Sequence, residues 1–323
     1  MHVFTGAHTE KILFDEKRAT GVRCCLNGKT INIRAHKEVI LSAGAIGSPQ
    51  ILMLSGIGDP KDLQPHGIEI SHSLKGVGKN LQDHLQARPI FKCRVSTINT
   101  ETKNIFQLAV IAFRYAVSGS GPMAMAASLG TGFLKTRPEL MTPDIQFHIQ
   151  PFSADNPADG THKFSAFTAS VLQLRPESRG RIALRSASAH DYPAIYPNYL
   201  ATRMDCDTLV AGIKIARNIC DYTPLRELIS EEHAPGEAIG RDDDEAILDW
   251  ARSTATTIYH PTGTCKMGRD QMAVVDSRLR VHGISGLRVA DASVMPVITS
   301  GNTNAPTIMI GEKLSDMVLE DAK

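Results

Sequence analysis

The chain is expected to be α/β, with parallel-strand character at its two ends around an α+β middle. That middle carries an antiparallel sheet with flanking helices. Three observations predict this. Two short apolar runs, Glu38-Val-Ile-Leu-Ser-Ala-Gly44 and Gly286-Leu-Arg-Val-Ala-Asp291, end in small or acidic residues, as buried parallel strands do when they feed a loop. Each run has a helix signal downstream. Between them, over roughly 87–250, period-two segments alternate with helical stretches. The 323 residues suit one large domain or two, and they suffice for a substantial core. The changes of character place the limits at 1–86, 87–254 and 255–323.

In chain order, Lys11-Ile-Leu-Phe14, Gly21-Val-Arg-Cys-Cys25 and Thr30-Ile-Asn-Ile-Arg34 read as strands separated by turn signals such as Asn27-Gly28. After the run ending at Gly44, a helix is expected with Ser48 as its cap. Pro49 suits the first turn, Gln50–Leu54 fill the helix and Gly56 stops it. Ile105–Val117 is an apolar helical stretch closed by the breaker Gly119–Pro122. Asp144–Gln150, Phe164–Leu174 and Arg181–Arg185 alternate as antiparallel strands. Thr208–Ile219 and Asp242–Ser253 read as helices. Gly301–Pro306 is a turn, and Thr307–Glu320 is an amphipathic helix with Pro306 at its start.

Composition excludes several classes. Thirty-five Lys+Arg against 34 Asp+Glu give a net charge of +1, so no basic excess points to nucleic acid. Six cysteines form no CxxC pair and no zinc-finger spacing, which fits reduced thiols in a cytoplasmic protein. The most apolar window, Ile105–Val117, contains Arg114 and falls short of the about 20 residues needed to span a bilayer. No transmembrane segment is expected, and peripheral membrane contact stays open.

Four segments carry the chemistry: Gly44-Ala-Ile-Gly-Ser-Pro-Gln-Ile-Leu-Met-Leu-Ser-Gly-Ile-Gly58, Gly76-Val-Gly-Lys-Asn-Leu-Gln-Asp-His84, His260-Pro-Thr-Gly-Thr-Cys-Lys-Met-Gly268, and Ala290-Asp-Ala-Ser-Val-Met-Pro296 followed by Gly301-Asn-Thr-Asn-Ala-Pro-Thr307. In order and content the chain resembles the glucose–methanol–choline (GMC) oxidoreductases, most closely the choline-dehydrogenase-like alcohol dehydrogenases. The resemblance implies an incomplete FAD-binding, Rossmann-like domain at 1–86 that returns at 255–323, and a substrate-binding domain at 87–254. It also implies FAD as cofactor, an alcohol as substrate and an external electron acceptor.

Loss of hydride from an alcohol needs a base, because the hydroxyl proton must leave as the carbonyl forms. Histidine suits that work. By resemblance His260 is that base, and Pro261, Gly263 and Gly268 around it imply a tightly packed loop. Asn302, as a turn residue, tolerates left-handed geometry. By resemblance its amide is a neutral hydrogen-bond partner for the substrate oxygen. The helix after it offers unpaired N–H groups and a positive dipole end, suited to the negative charge that a reduced flavin gathers. Asn302, Thr303 and Thr307 are expected to line that end of the cofactor. Asp291 and Ala292, with Ser42 and Gly44, are expected beside its ribityl–pyrophosphate part, at the carboxyl ends of parallel strands. Thr9 matches a position near the adenine. Asn80, Gln82, Asp83 and His84 are read as structural, joining two domains.

The resemblance also calls for a G-x-G-x-x-G segment between a strand and a helix, which cradles the pyrophosphate. None occurs near the start. Gly119-Ser-Gly-Pro-Met-Ala124 imitates it, but it follows a helical stretch and holds Pro122, so it reads as a breaker. A truncated or split enzyme is therefore expected, one that binds flavin poorly without an N-terminal FAD-binding module. A flavin absorbance scan of the purified chain tests this, since stoichiometric bound FAD contradicts it. Two other readings stand beside alcohol oxidation: a non-catalytic remnant or subunit, and a hydroxynitrile-lyase-like proton transfer without net redox chemistry.

Overall fold

The computed structural model describes residues 2–126, 128–155 and 160–322. Its strands are β1 (Ala7–Asp15), β2 (Arg18–Leu26), β3 (Lys29–Arg34), β4 (Val39–Leu41), β5 (Ile57–Gly58), β6 (His72–Ser73), β7 (Leu85–Ala87), β8 (Ile90–Cys93), β9 (Gly130–Leu134), β10 (Ile145–Gln150), β11 (Ala166–Gln173), β12 (Arg181–Ala183), β13 (Ala194–Tyr196), β14 (Ile229–Ala234), β15 (Thr256–Thr257) and β16 (Leu287–Val289). Its helices are α1 (Gly44–Leu54), α2 (Pro60–Leu63), α3 (Ile98–Glu101), α4 (Ile105–Ser118), α5 (Arg203–Cys220), α6 (Leu225–Leu228), α7 (Asp244–Thr254) and α8 (Asn304–Asp321). These elements fall into two compact units, 1–83 with 178–199 and 259–323, and 84–177 with 200–258. The stretch 178–199, which the sequence places within the middle segment 87–254, packs in the first unit.

In the first unit β1, β2 and β3 form an antiparallel meander. Asn27 and Gly28 turn β2 into β3 with φ of 51° and 74°, the left-handed pair that a two-residue hairpin needs. Strand β4 pairs in parallel with β16, Val39 opposite Leu287 and Leu41 opposite Val289, although 245 residues lie between β4 and β16 in the chain. The core joins Val39 and Leu41, Leu52 and Met53 of α1, Leu287 and Val289, and Ile310 and Leu314 of α8. It is held mainly by removal of apolar area from water, each large aliphatic side chain contributing about 1.5–3 kcal/mol.

The start of α1 departs from expectation. The helix begins at Gly44, its N-cap Ala43 supplies no side-chain cap, and Pro49 lies inside. Ser48 does not cap it, because its hydroxyl is drawn elsewhere. Its Oγ accepts the Ala43 N–H at 3.0 Å and donates to Asp291 Oδ2 at 2.5 Å. Similarly, α8 starts three residues before Thr307 and takes Pro306 into its first turn, where a missing N–H costs nothing.

In the second unit a seven-stranded sheet runs β14-β8-β11-β10-β9, with β7 pairing β11 and β15 pairing β7. Strands β10 and β11 are antiparallel from Ile145–Gln173 to Gln150–Thr168. Phe147 of β10 and Val171 of β11 pack against Leu209, Val210 and Ile213 of α5, which begins five residues earlier than its apolar periodicity suggested. Phe147 is thus core, and Phe167 stacks on Phe91 at 5.4 Å between ring centroids. The glycine-rich imitation at 119–124 follows α4 and no strand: Gly119 is the left-handed cap of that helix, and Pro122–Ala124 is a 3-10 turn. None of the described helices is long and apolar enough to cross a membrane.

Candidate active site

The first unit brings its chemistry together where β4 and β16 end. Asp291, directly beyond β16, is 5% exposed. Its Oδ2 accepts from the Gly44 N–H at 3.0 Å and from Ser48 Oγ, and its Oδ1 accepts from the Ser293 N–H at 2.8 Å. One carboxylate therefore fastens the end of β16 to the start of α1. The 3-10 turn Ala292–Val294 that follows packs against both α1 and α8.

The histidine segment is stitched to that turn. Gly263 N donates to Ala292 O at 3.3 Å, Cys265 N to Ser293 O at 2.8 Å and Met267 N to Val294 O at 2.8 Å. Gly263 needs its φ of 89°, and a Cβ there would lie 2.5 Å from Asn80 O. Thr264 Oγ1 donates to Ala45 O at 2.6 Å, tying the segment to α1 as well. Burial pushes the Cys265 thiol far above its ordinary range, with the Asp291 carboxylate adding to the shift, so it is an inert core group.

His260 heads this segment and is 8% exposed. Its backbone N–H donates to Asp83 Oδ1 at 2.9 Å, and Asp83 Oδ2 accepts from the Tyr199 hydroxyl at 2.5 Å. Asn302 lies in the turn before α8, and its Nδ2 approaches His260 Nε2 to 3.4 Å. With the amide as donor, the imidazole nitrogen is the acceptor and presents a lone pair, the form a base requires. Tyr259, beside it, takes φ 65° and is 81% exposed. Nothing in the sequence marked that tyrosine as a left-handed residue at the site edge.

The polar run at 80–83 grips both the histidine segment and the stretch before Asn302. Asn80 Nδ2 donates to Gly263 O and to Pro296 O, each at 3.2 Å. Gln82 Nε2 donates to Pro296 O at 3.2 Å, while its Oε1 accepts from the Ile298 N–H at 3.1 Å. These contacts stay within the first unit. His84 belongs to the second unit, with its Nε2 3.0 Å from Leu174 O. Asp83→Ala should therefore cost about 1–3 kcal/mol for each buried donor left unpaired, with Asp83→Asn costing less because it keeps an acceptor oxygen. Urea unfolding checks this, and an unchanged midpoint for Asp83→Ala would contradict it.

Other expected cofactor residues divide in two. Thr303, 8% exposed, is the N-cap position of α8 and supplies no side-chain cap. Thr307 donates both its N–H (3.1 Å) and its hydroxyl (2.7 Å) to Thr303 O, which leaves only the lone pairs of its hydroxyl for a ligand. Ser42 and Gly44 follow β4. Thr9 is not beside the histidine–asparagine pair. It shares with Ser42 and Ala43 a cleft of about 400 Å³ along β4, whose other walls include Val22, Ile40 and Ile51.

These features suit an anionic cofactor. Helix α8 starts without a side-chain cap, so its positive end is open to negative charge, whereas the first N–H of α1 is already taken by the Asp291 carboxylate. Among the described residues, Thr262 Oγ1 and Thr299 Oγ1, one in the histidine segment and one just before Asn302, are buried without a hydrogen-bond partner. Buried hydroxyls in that state call for a polar ligand.

Comparison with known proteins agrees. Two GMC oxidoreductase family models match the chain, one over residues 1–86 and the other over 176–311. An oxygen-dependent choline dehydrogenase of Pseudomonas fluorescens (strain SBW25) is 40% identical over 318 residues, covering 98% of this chain and 56% of the relative. An alcohol dehydrogenase (acceptor) of Pseudomonas putida is 40% identical over 322 residues, covering 99% of this chain and 58% of the relative. The chain thus spans somewhat more than half the length of these curated relatives. Among solved structures, an Aspergillus oryzae RIB40 formate oxidase superposes with a TM-score of 0.90 at 27% identity, over 98% of this chain and 60% of that one. An FAD-dependent oxidoreductase from Chaetomium thermophilum gives 0.87 at 26%, over 99% and 62%. On two family models that together cover more than half of its residues, the chain belongs to the GMC oxidoreductase family.

Proposed function

We propose that these residues form the catalytic edge of an FAD-dependent alcohol oxidoreductase that converts a CH–OH group to an aldehyde or ketone. The observation that carries the reading is the 3.4 Å approach of Asn302 Nδ2 to His260 Nε2. Two such groups can share one substrate oxygen. His260 Nε2 takes the hydroxyl proton, and the Asn302 amide donates to the oxygen as it gains negative character. FAD, when bound, supplies the hydride acceptor. Asn302, Thr303 and the uncapped start of α8 would hold its electron-accepting end, with Thr307 offering only its hydroxyl lone pairs. Ser42, Gly44, Asp291 and Ala292 would meet its chain beyond the strand ends, and Thr9 its far end. Because Asp291 spends its carboxylate on Gly44, Ser48 and Ser293, its part is to set the backbone that faces the ligand.

The relatives' names favour choline or another primary alcohol as substrate, with electrons passing to an external acceptor. The decisive experiment is anaerobic mixing of the flavin-loaded protein with primary alcohols. Bleaching of the flavin absorbance supports oxidation. A flavin that stays oxidised while substrate is consumed would instead mark a lyase.

A further inference from the structure

A second constellation lies in the second unit, whereas His260 and Asn302 belong to the first. Asp155, His162 and His233 each offer one ligand atom, and these atoms all lie within 4.8 Å of one another. We propose that they bind one divalent first-row transition-metal ion of the zinc class, with solvent completing the coordination.

Four observations converge on this. His162 is held in place by a buried support. Its Nδ1 lies 2.9 Å from Ser153 Oγ, which accepts from Asn99 Nδ2 at 2.9 Å, while the Ser153 N–H donates to Asn99 Oδ1 at 3.0 Å. Asn99 and Ser153 are both fully buried. Metal-binding imidazoles are oriented in this way, through the ring nitrogen that does not touch the metal. The opposite nitrogen, Nε2, lies 3.1 Å from Asp155 Oδ2, yet it is buried and makes no hydrogen bond among the described residues. A ring nitrogen and a carboxylate oxygen held that close without an aligned N–H are what a cation between them would produce.

His233 is aimed at the same point by a bulge. Along β14, Glu232 pairs with Phe91 and Ala234 with Ile90, so His233 is the extra residue. Bulges re-aim side chains in this manner. The two imidazoles meet edge to face, 5.2 Å between centroids at 75°, with Phe164 stacked on His162 at 4.6 Å. Burial, then the neighbouring His162 and Lys92, lower the His233 pKa from its usual value, while Asp155 and Glu231 oppose the shift. Lys92 is itself neutralised by Glu231 at 2.5 Å.

Metal–ligand bonds of about 2.0–2.2 Å would need the three atoms drawn to roughly 3.5 Å apart. The Asp155 side chain, 81% exposed, has the freedom to make that movement. Two imidazoles and one carboxylate select borderline ions over magnesium or calcium, which take oxygen ligands. The ion would tie Asp155 and His162, which lie between β10 and β11, to β14. Arg88 competes, since it interacts electrostatically with Asp155.

Calorimetric titration of the untagged, chelator-treated chain with zinc chloride tests the proposal. One equivalent should bind, with affinity lowered about tenfold or more in Asp155→Asn and in His233→Gln. Both variants keep the Ser153–His162 support, and circular dichroism confirms that they fold. Cys25→Ser should leave binding unchanged, which separates this site from the Glu10, Cys25 and His190 cluster of the first unit. Absence of saturable zinc binding overturns the proposal, as does binding that survives both Asp155→Asn and His233→Gln.

Discussion

Replacing His260 with alanine in the flavin-loaded enzyme is expected to slow alcohol-driven flavin reduction by about 10²–10⁴, the range for loss of a positioned acid–base group. The loss should fall on the rate constant and leave substrate binding comparatively intact, because the role proposed for the ring is to take a proton that moves only in the transition state. The substitution should not displace the loop. His260 is anchored through its backbone to Asp83, and the segment after it is stitched to Ala292, Ser293 and Val294 by backbone hydrogen bonds, none of which uses the imidazole. Stopped-flow absorbance under anaerobic conditions measures the rate directly. Unchanged reduction would remove His260 from the chemistry.

The largest stability effect should come from Arg217, far from that chemistry in sequence. Its side chain is 1% exposed, and its Nε donates to Glu232 Oε1 at 2.8 Å. Its Nη2 donates to Gly236 O at 3.3 Å and Ile239 O at 3.1 Å, so one guanidinium holds α5, β14 and the turn beyond it. Arg217→Ala strands Glu232 at 10% exposure without its partner, and breaking a buried pair in this way costs about 3–5 kcal/mol. Replacing both residues, as Arg217→Met with Glu232→Leu, should restore much of the loss, because no charge is then left buried alone. Trp250, the chain's single tryptophan, packs against the same core, so its fluorescence during urea unfolding reports on this unit. A shift of under 1 kcal/mol on the Arg217→Ala curve would contradict the pairing.

Local signals were legible where physics is local. Asn27-Gly28 announced its hairpin because few other pairs take two consecutive positive φ values, and Gly119-Ser-Gly-Pro122 betrayed itself as a breaker by the helix before it. The parallel pairing of β4 with β16 was readable only as two runs ending alike, since pairing across so long a stretch of chain leaves no mark in either segment. Ser48 misled for a similar reason. A serine before a proline resembles a helix cap, but the hydroxyl belongs to a carboxylate 243 residues away. The grip of Asn80, Gln82 and Asp83 on the 260–264 and 296–298 segments depends on side chains reaching across the fold, which periodicity does not encode. The bulge that places His233 beside His162 was invisible for the same reason, because its register is set by β8.

On the proposed function, the imidazole of His260 and the amide of Asn302 act on one substrate oxygen. A double-mutant cycle on the rate of flavin reduction tests this most directly, using His260→Ala, Asn302→Ala and the double variant. Groups that serve a single oxygen give strongly non-additive losses, so the double variant should react little more slowly than His260→Ala alone. Losses that multiply in full would mean that the two side chains act independently, and the shared-oxygen account would fail.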